Sequence, residues 1–111
     1  EKRHKVRQTA LAEQQAGLSI EDTREQVLLD VNSNFRHLRE ARAHLAVTEA
    51  LRDAEAEKMR NQKEAYSQQS ILLSDLLKQE SSLADAESQY RQAVLAFWSA
   101  RADFQKTLGE E

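Results

Sequence analysis

The sequence contains no cysteine and no proline, and only two of its 111 residues are glycine. Without cysteine the chain forms no disulfide, and nothing in it indicates the redox state of its compartment. Without proline, every residue can donate its backbone hydrogen bond inside a helix. Aromatic residues make up 5% of the chain and charged residues 32%, so a thick globular core is not expected. These absences favour long and largely exposed helices.

The chain also lacks a surplus of positive charge and a long apolar run. The net charge of −3 argues against a nucleic-acid partner, because phosphate binding needs clustered positive charge. The basic residues at positions 2–5 are interpreted as a solvated end. No stretch approaches the roughly 18 apolar residues that span a bilayer. No signal peptide is recognisable. We expect a piece of a longer chain, or a mature protein, that meets a membrane only through parts absent from this segment.

Large and small residues recur every seven positions in the second half of the chain. The large row consists of Leu76, Leu83, Tyr90, Phe97 and Phe104. A smaller row follows three positions later, at Gln79, Ala86, Ala93, Ala100 and Thr107. This is the a/d pattern of a coiled coil, and its one large and one small row allow a neighbouring helix to approach closely.

The first half of the chain repeats the pattern. Its first row is Val31, Leu38, Leu45, Arg52, Met59 and Tyr66, and its second row is Asn34, Ala41, Thr48, Glu55, Gln62 and Gln69. The rows of both halves together are called the seam. Arg52 and Glu55 interrupt it, and we interpret them as an i, i+3 ion pair that fixes the register. The alternative is that they are polar lining of a channel.

Folding the chain back about Gln69 brings large residues against small ones. Leu45 then faces Ala93, and Phe97 faces Ala41, as close packing of a core requires. This predicts an all-α fold, a long antiparallel coiled-coil hairpin. Its first helix covers about 1–67, its tip about 67–71 and its second helix about 71–108. Two chains in an antiparallel dimer offer the same facing pairs.

Three residues are expected to shape the ends of the second helix. Ser70 is predicted to cap its N-terminus, Asp75 to lie near its first turn, and Gly109 to stop it.

Residues before about Asp30 have no partner within such a hairpin. Their apolar positions, which include Leu11, Leu18, Ile20 and Val27, need another helix or subunit to cover them. We therefore expect the chain to be oligomeric, or frayed before about residue 28. The alternative is a break at residues 17–22, where Ser19 and Asp22 mimic a capping box; it would give a three-helix bundle.

The sequence offers no chemistry of a catalytic or metal site. Its histidines are His4, His37 and His44, and the last two lie two helical turns apart, too far for the i, i+4 pair that binds zinc. No glycine-rich loop or nucleophile elbow accompanies its serines. We predict no enzymatic activity, no catalytic residue, no bound metal and no cofactor.

Residues 66–77, YSQQSILLSDLL, resemble the hairpin-tip motif of the TolC-like outer-membrane efflux proteins. The family pattern is an aromatic residue, two residues, Gly, a short variable stretch, and then Leu-Leu-Asp-x-Leu or close to it. Residues 26–31 preceding Phe35 resemble the family's long ascending helix, and residues 90–93 with 108–109 resemble the close of its returning helix. The resemblance covers nearly the whole chain.

The resemblance implies a homotrimer whose hairpins build a hollow α-barrel in the periplasm of a Gram-negative bacterium. The family's outer-membrane strands are absent from this segment. The tunnel is the exit duct of an inner-membrane pump, and a periplasmic adaptor docks at the hairpin tips. Carried over by position, Tyr66 and Asp75 belong to the entrance constriction. The adaptor contact is formed by Gln68, Gln69, Ser70 and Ile71.

Two residues depart from the family pattern. Gln69 stands where Gly is usual, so the tight turn and the usual adaptor contact are less expected here. Lys78 stands where some members place a second acid, so a strongly cation-selective ring at the constriction is less expected.

Two other functions remain open. The α-hairpin of a periplasmic adaptor is also long and antiparallel, but usually carries Arg, Leu and Ser at heptad spacing around its tip. Here Arg60, Ser67 and Ser74 have that spacing without the Leu. A structural coiled coil without a transport role is favoured if the chain forms one continuous rod.

Overall fold

The computed structural model describes residues 2–109, which form two helices joined by a short turn. Helix α1 spans Lys2–Ser67 and helix α2 spans Leu73–Thr107. The molecule measures 99 × 20 × 18 Å, and its length is that of α1 at a rise of 1.5 Å per residue. The two helices pack against each other. The prediction of an all-helical, elongated pair of helices is confirmed at this level.

Helix α1 continues without interruption through residues 17–22, so the predicted alternative of a break there is wrong. Ser19 does not act as a cap; its carbonyl oxygen accepts a hydrogen bond from the Thr23 hydroxyl, 2.9 Å away. A single Gly17 inside a helix costs only about 1 kcal/mol relative to alanine. That is too little to stop a helix when neither a proline nor a competing cap follows.

Gln69 reverses the chain in a left-handed backbone conformation, with φ of 59°. Its N–H donates to the carbonyl of Tyr66 at 2.9 Å, and the N–H of Ser70 donates to the carbonyl of Ala65 at 2.8 Å. This pair of bonds defines a Schellman motif, which satisfies the last carbonyls of α1. Gln69 occupies the position at which glycine is usual, so the tight turn forms even without glycine.

The N-terminus of α2 differs from the prediction. Leu72, not Ser70, is the N-cap residue, with extended backbone angles. The Leu72 N–H donates to a carboxylate oxygen of Asp75 at 3.2 Å. Ser70 lies two residues before the N-cap, within the turn, where its N–H donates to the Ala65 carbonyl at the end of α1. Asp75 lies in the first turn of α2 as predicted, and Gly109 follows the helix with φ of 82°.

The seam is where the two helices meet. Every seam residue of α2 is buried or half-buried, and so is every seam residue of α1 from Val31 to Gln62. The small residues are the most deeply covered, and Thr48, Ala86 and Ala93 are each 2% exposed. A two-helix layer covers what lies directly between the helix axes, whereas large side chains reach past the edges and stay half-exposed.

Cross-helix contacts fit the predicted register. The rings of Phe35 and Phe104 lie 5.6 Å apart. The Asn34 amide donates to the Thr107 hydroxyl and lies 3.4 Å from the carbonyl oxygen of Asp103. Folding the chain about Gln69 sets Phe104 opposite Asn34, and its ring contacts the next residue, Phe35, because a large side chain packs between levels of the partner helix.

The N-terminal part of α1 extends beyond the end of α2. Every residue from 2 to 30 is exposed, and this segment is called the overhang. Its apolar side chains are 48–68% exposed and comprise Val6, Leu11, Leu18, Ile20, Val27, Leu28 and Leu29. The overhang therefore has no cover within residues 2–109.

Replacing Gln69 by glycine is expected to raise the free energy of unfolding by up to about 1 kcal/mol, because glycine has no Cβ to oppose a positive φ. Urea unfolding followed by circular dichroism measures the change. Gln68→Gly is the matched control; it lies beside the turn without a positive φ and is expected to lower stability. Equal effects of the two substitutions would contradict the left-handed turn at Gln69.

Leu72→Ser is expected to stabilise α2 by about 1 kcal/mol, because serine supplies the side-chain acceptor that Leu72 lacks and completes a capping box with Asp75. Leu72→Ala is the control and removes the same exposed leucine without adding an acceptor. Thermal unfolding compares the two variants. A gain shared by both would show that loss of the leucine, not capping, is responsible.

Candidate functional site

The tip of the hairpin exposes both polar and apolar side chains. Gln68, Gln69 and Ser70 are exposed, whereas Ile71 is half-buried at the turn. The Gln68 amide donates to the Glu64 carboxylate at 3.0 Å, which ties it back to α1. The predicted adaptor-contact residues thus lie together at the tip, and three of the four are accessible to a partner.

The two predicted constriction residues lie on opposite sides of the turn. Tyr66 is exposed in the last turn of α1, and Asp75 is half-buried in the first turn of α2. The Asp75 carboxylate already accepts the Leu72 N–H. Asp75 therefore has a structural role within one chain, and its remaining carboxylate lone pairs are open to a further contact.

Sequence reasoning did not single out the exposed leucines beside the tip. Leu72 is 70% exposed, and Leu73 and Leu77 are each about half exposed. The signal was present in the sequence: only Leu76 of the leucines at 72–77 belongs to the seam. The others must point away from α1, which leaves apolar surface at the tip beside Tyr66.

Arg52 and Glu55 do not form the predicted ion pair with each other. Arg52 donates two hydrogen bonds to the Asp53 carboxylate, at 2.9 and 3.1 Å, and its guanidinium lies 4.2 Å from the centre of the Tyr90 ring. The Asp53 hydrogen bond raises the pKa of Arg52. The aromatic ring of α2 provides a cation–π contact across the seam, so Arg52 fixes the register through α2 and not through Glu55.

Glu55 has its own partner on α2. The Gln79 side-chain amide donates to the Glu55 carboxylate at 2.7 Å and to the Glu55 backbone carbonyl at 3.1 Å. Gln79 is buried, and Lys58 lies 3.5 Å from the other Glu55 carboxylate oxygen. Closer to the tip, Gln62 Oε1 is buried without a hydrogen-bond partner among residues 2–109. The half of the seam near the tip is therefore polar in part.

Neither a metal centre nor a membrane span is found in the described part of the chain. Residues 2–109 contain no group of three His, Cys, Asp or Glu side chains arranged to hold a metal ion. No helix within the same range is long and apolar enough to cross a membrane. His37 and His44 are exposed on α1.

Comparison of the chain with protein-family models, with curated proteins and with solved structures finds no match in any of the three. The resemblance to the TolC-like family therefore stays a prediction that rests on residues 66–77 and their surroundings.

Gln79→Ala is expected to lower the free energy of unfolding by about 1–2 kcal/mol, because it leaves Glu55 without its cross-helix donor in a partly buried position. Chemical unfolding measures the loss. Gln89→Ala is the matched control on the exposed side of α2 and is expected to change stability by less than about 0.5 kcal/mol. A loss of similar size in both variants would rule out a specific bond across the seam.

Proposed function

We propose that this chain is a periplasmic tunnel segment of a trimeric outer-membrane efflux or secretion channel, and that it docks an adaptor through its hairpin tip. The observation that carries the proposal is the tip itself. The molecule is 99 Å long, and its hairpin ends in a tight turn that exposes Leu72, Leu73 and Leu77 to solvent. Exposed apolar side chains grouped at the closed end of a hairpin are typical of an interaction site.

The shape of the chain fits a part of a larger assembly. Only five of the described residues are buried, and two of them, Thr48 and Gln79, are polar. Further burial of the half-exposed large residues requires neighbouring helices on the sides of the hairpin. A closed ring of such hairpins, the α-barrel of a homotrimer, supplies neighbours on both sides of every hairpin.

In that assembly Asp75 and Tyr66 narrow the entrance. Three copies of Asp75 form a ring of carboxylates, which attracts cations and repels anions. Lys78 is exposed one turn further along α2 and weakens this preference. The Asp75 carboxylate is held near the turn by the Leu72 N–H, so the ring has a fixed position relative to the tip.

The channel works with an inner-membrane pump and a periplasmic adaptor, which provide the energy and the docking. The parent protein lies in the outer membrane of a Gram-negative bacterium, and this segment lies in the periplasm. Because the polar tip residues stand beside exposed leucines, the adaptor surface they fit combines apolar side chains with hydrogen-bonding groups.

A photo-crosslinking residue at Ser70 tests the docking. The chain is incubated with the purified α-hairpin of a periplasmic adaptor, and the expected result is a crosslink to that hairpin's own tip. The same residue at Ala43, exposed about 40 Å from the tip, is the position control and is expected to give none.

Two variants separate apolar docking from chance contact. Leu72→Gln with Leu73→Gln is expected to reduce the Ser70 crosslink by about tenfold or more, because a partner loses its apolar surface. Val47→Gln, at a similarly exposed site on α1 about 30 Å from the tip, is expected to leave it unchanged. The labelled chain is also incubated with a purified TolC-like channel. A crosslink to the tip of that channel, and none to the adaptor, would identify this chain as an adaptor hairpin. Crosslinking to neither would leave only a structural coiled coil.

A further inference from the structure

The overhang continues both rows of the seam beyond the end of α2. At the same spacing of seven, Ala10, Gly17 and Arg24 continue the first row towards the N-terminus. Glu13, Ile20 and Val27 continue the second row. The surface that α2 covers between residues 31 and 62 therefore runs on into the overhang, where it is exposed.

The sizes of the two rows are exchanged in the overhang. Within the hairpin, the first row of α1 is large, and the second is smaller at the three levels farthest from the tip, Asn34, Ala41 and Thr48. In the overhang the first row carries Ala10 and Gly17, and the second carries Ile20 and Val27. Antiparallel pairing brings the first row of one helix against the second row of the other, so an overhang is complementary to a second copy of itself.

One alignment of two copies satisfies this complementarity at each apolar level. Two antiparallel overhangs centred between Leu18 and Ser19 place Ile20 against Gly17, and Val27 against Ala10, of the other copy. Each contact occurs twice because the two copies are related by a two-fold axis. Large residues meet small ones throughout, as they do between α1 and α2.

The same alignment pairs opposite charges. Glu13 faces Arg24 of the other copy, again twice. Both residues are exposed within one chain, so neither is needed to hold the hairpin together. A register shifted by one heptad sets Arg24 against Val6 instead, and loses both the charge pair and the match of Val27 with Ala10.

Gly17 is explained by such a neighbour. Glycine within a helix costs roughly 0.5–1 kcal/mol relative to alanine. A Cβ added to Gly17 meets no atom within 4 Å, so packing within one chain gives no reason for glycine there. The approach of Ile20 from a second helix does, because a helix surface without a side chain accepts a branched one closely.

The length of the paired stretch follows from the position of α2. The seam is occupied by α2 from Val31 onward, so the second copy pairs along residues 7–30, about 36 Å of helix. The first turn of the second copy comes opposite residues 31–35, at the C-terminal end of α2. That turn carries Lys2, Arg3 and Lys5, and the carbonyls at a helix C-terminus favour positive charge.

We propose that the partner of the overhang is a second copy of this chain. The two copies form an antiparallel dimer through residues 7–30, with their hairpin tips pointing in opposite directions. This inference does not rest on the channel function. A barrel that covers the same surface with another helix excludes the dimer, so the two states compete for the overhang.

Charge reversal tests the dimer by sedimentation equilibrium across micromolar to millimolar concentrations. Glu13→Arg and Arg24→Glu are each expected to raise the dissociation constant about tenfold, because each sets like charges together at two places. The double variant is expected to return within about twofold of the parent. Asp22→Arg makes the charge change of Glu13→Arg at a position away from the seam and is the control. A chain that is monomeric throughout, or a double variant that fails to recover, would overturn the proposal.

Distances between spin labels test the direction of pairing. Chains labelled at Ala10 are mixed with chains labelled at Val27, and the expected distance between labels on different chains is about 10–15 Å. Labels at Ala10 of both copies are expected about 26 Å apart, since 17 residues separate the two positions along a helix. The reverse result, a short distance between the two Ala10 labels, shows parallel association and refutes the antiparallel dimer.

Discussion

The packing of large residues of one helix against small residues of the other fixes the register of the two helices, and the position of the turn and the length of the overhang depend on that register. Ala86, Ala93 and Thr48 are almost fully covered because the opposite helix lies directly over them. A shift by one residue would rotate large side chains into those places and separate the helices. The register held by this seam fixes where the chain must turn, and the turn fixes which residues reach the tip. The register also fixes where α2 ends and how much of α1 is left uncovered.

Polar residues within the seam lower the stability of the hairpin but select a single register of its two helices. An apolar seam alone permits neighbouring alignments shifted by a heptad, since each shift again brings apolar residues together. Gln79 bonded to Glu55, and Arg52 stacked on Tyr90, each have their partner in one alignment only. Gln62 buries an oxygen without a partner among the described residues, which costs stability. Near the tip, the polar seam residues therefore select one register of the two helices but add little stability.

The two ends of the rod make different demands on their surroundings. At the tip, a Schellman turn with a strained Gln69 exposes leucines next to amide and hydroxyl groups, a surface suited to a protein partner. At the other end, the overhang carries the seam pattern without a helix to cover it. The proposed channel segment uses the tip for docking and needs cover along its sides. The proposed dimer covers the seam positions of the overhang alone, and it leaves both tips free.

The sequence by itself determined the helices, the seam and the point of reversal. Heptad spacing is a local property, and large-to-small matching about Gln69 needs only the order of residues. The reversal at Gln69 also predicts the overhang, because more residues precede that point than follow it. Only the tertiary structure showed the features that no sequence repeat predicts, namely the N-cap of α2, the partners of Arg52 and the exposed leucines at the tip. Leu72 is the N-cap of α2 and Ser70 belongs to the turn that closes α1. Arg52 bonds to Asp53, and its guanidinium lies over the Tyr90 ring of α2. Which leucines face solvent at the tip depends on the helix start at Leu73. That start is marked by the bond from the Leu72 N–H to the Asp75 carboxylate and not by any repeat in the sequence.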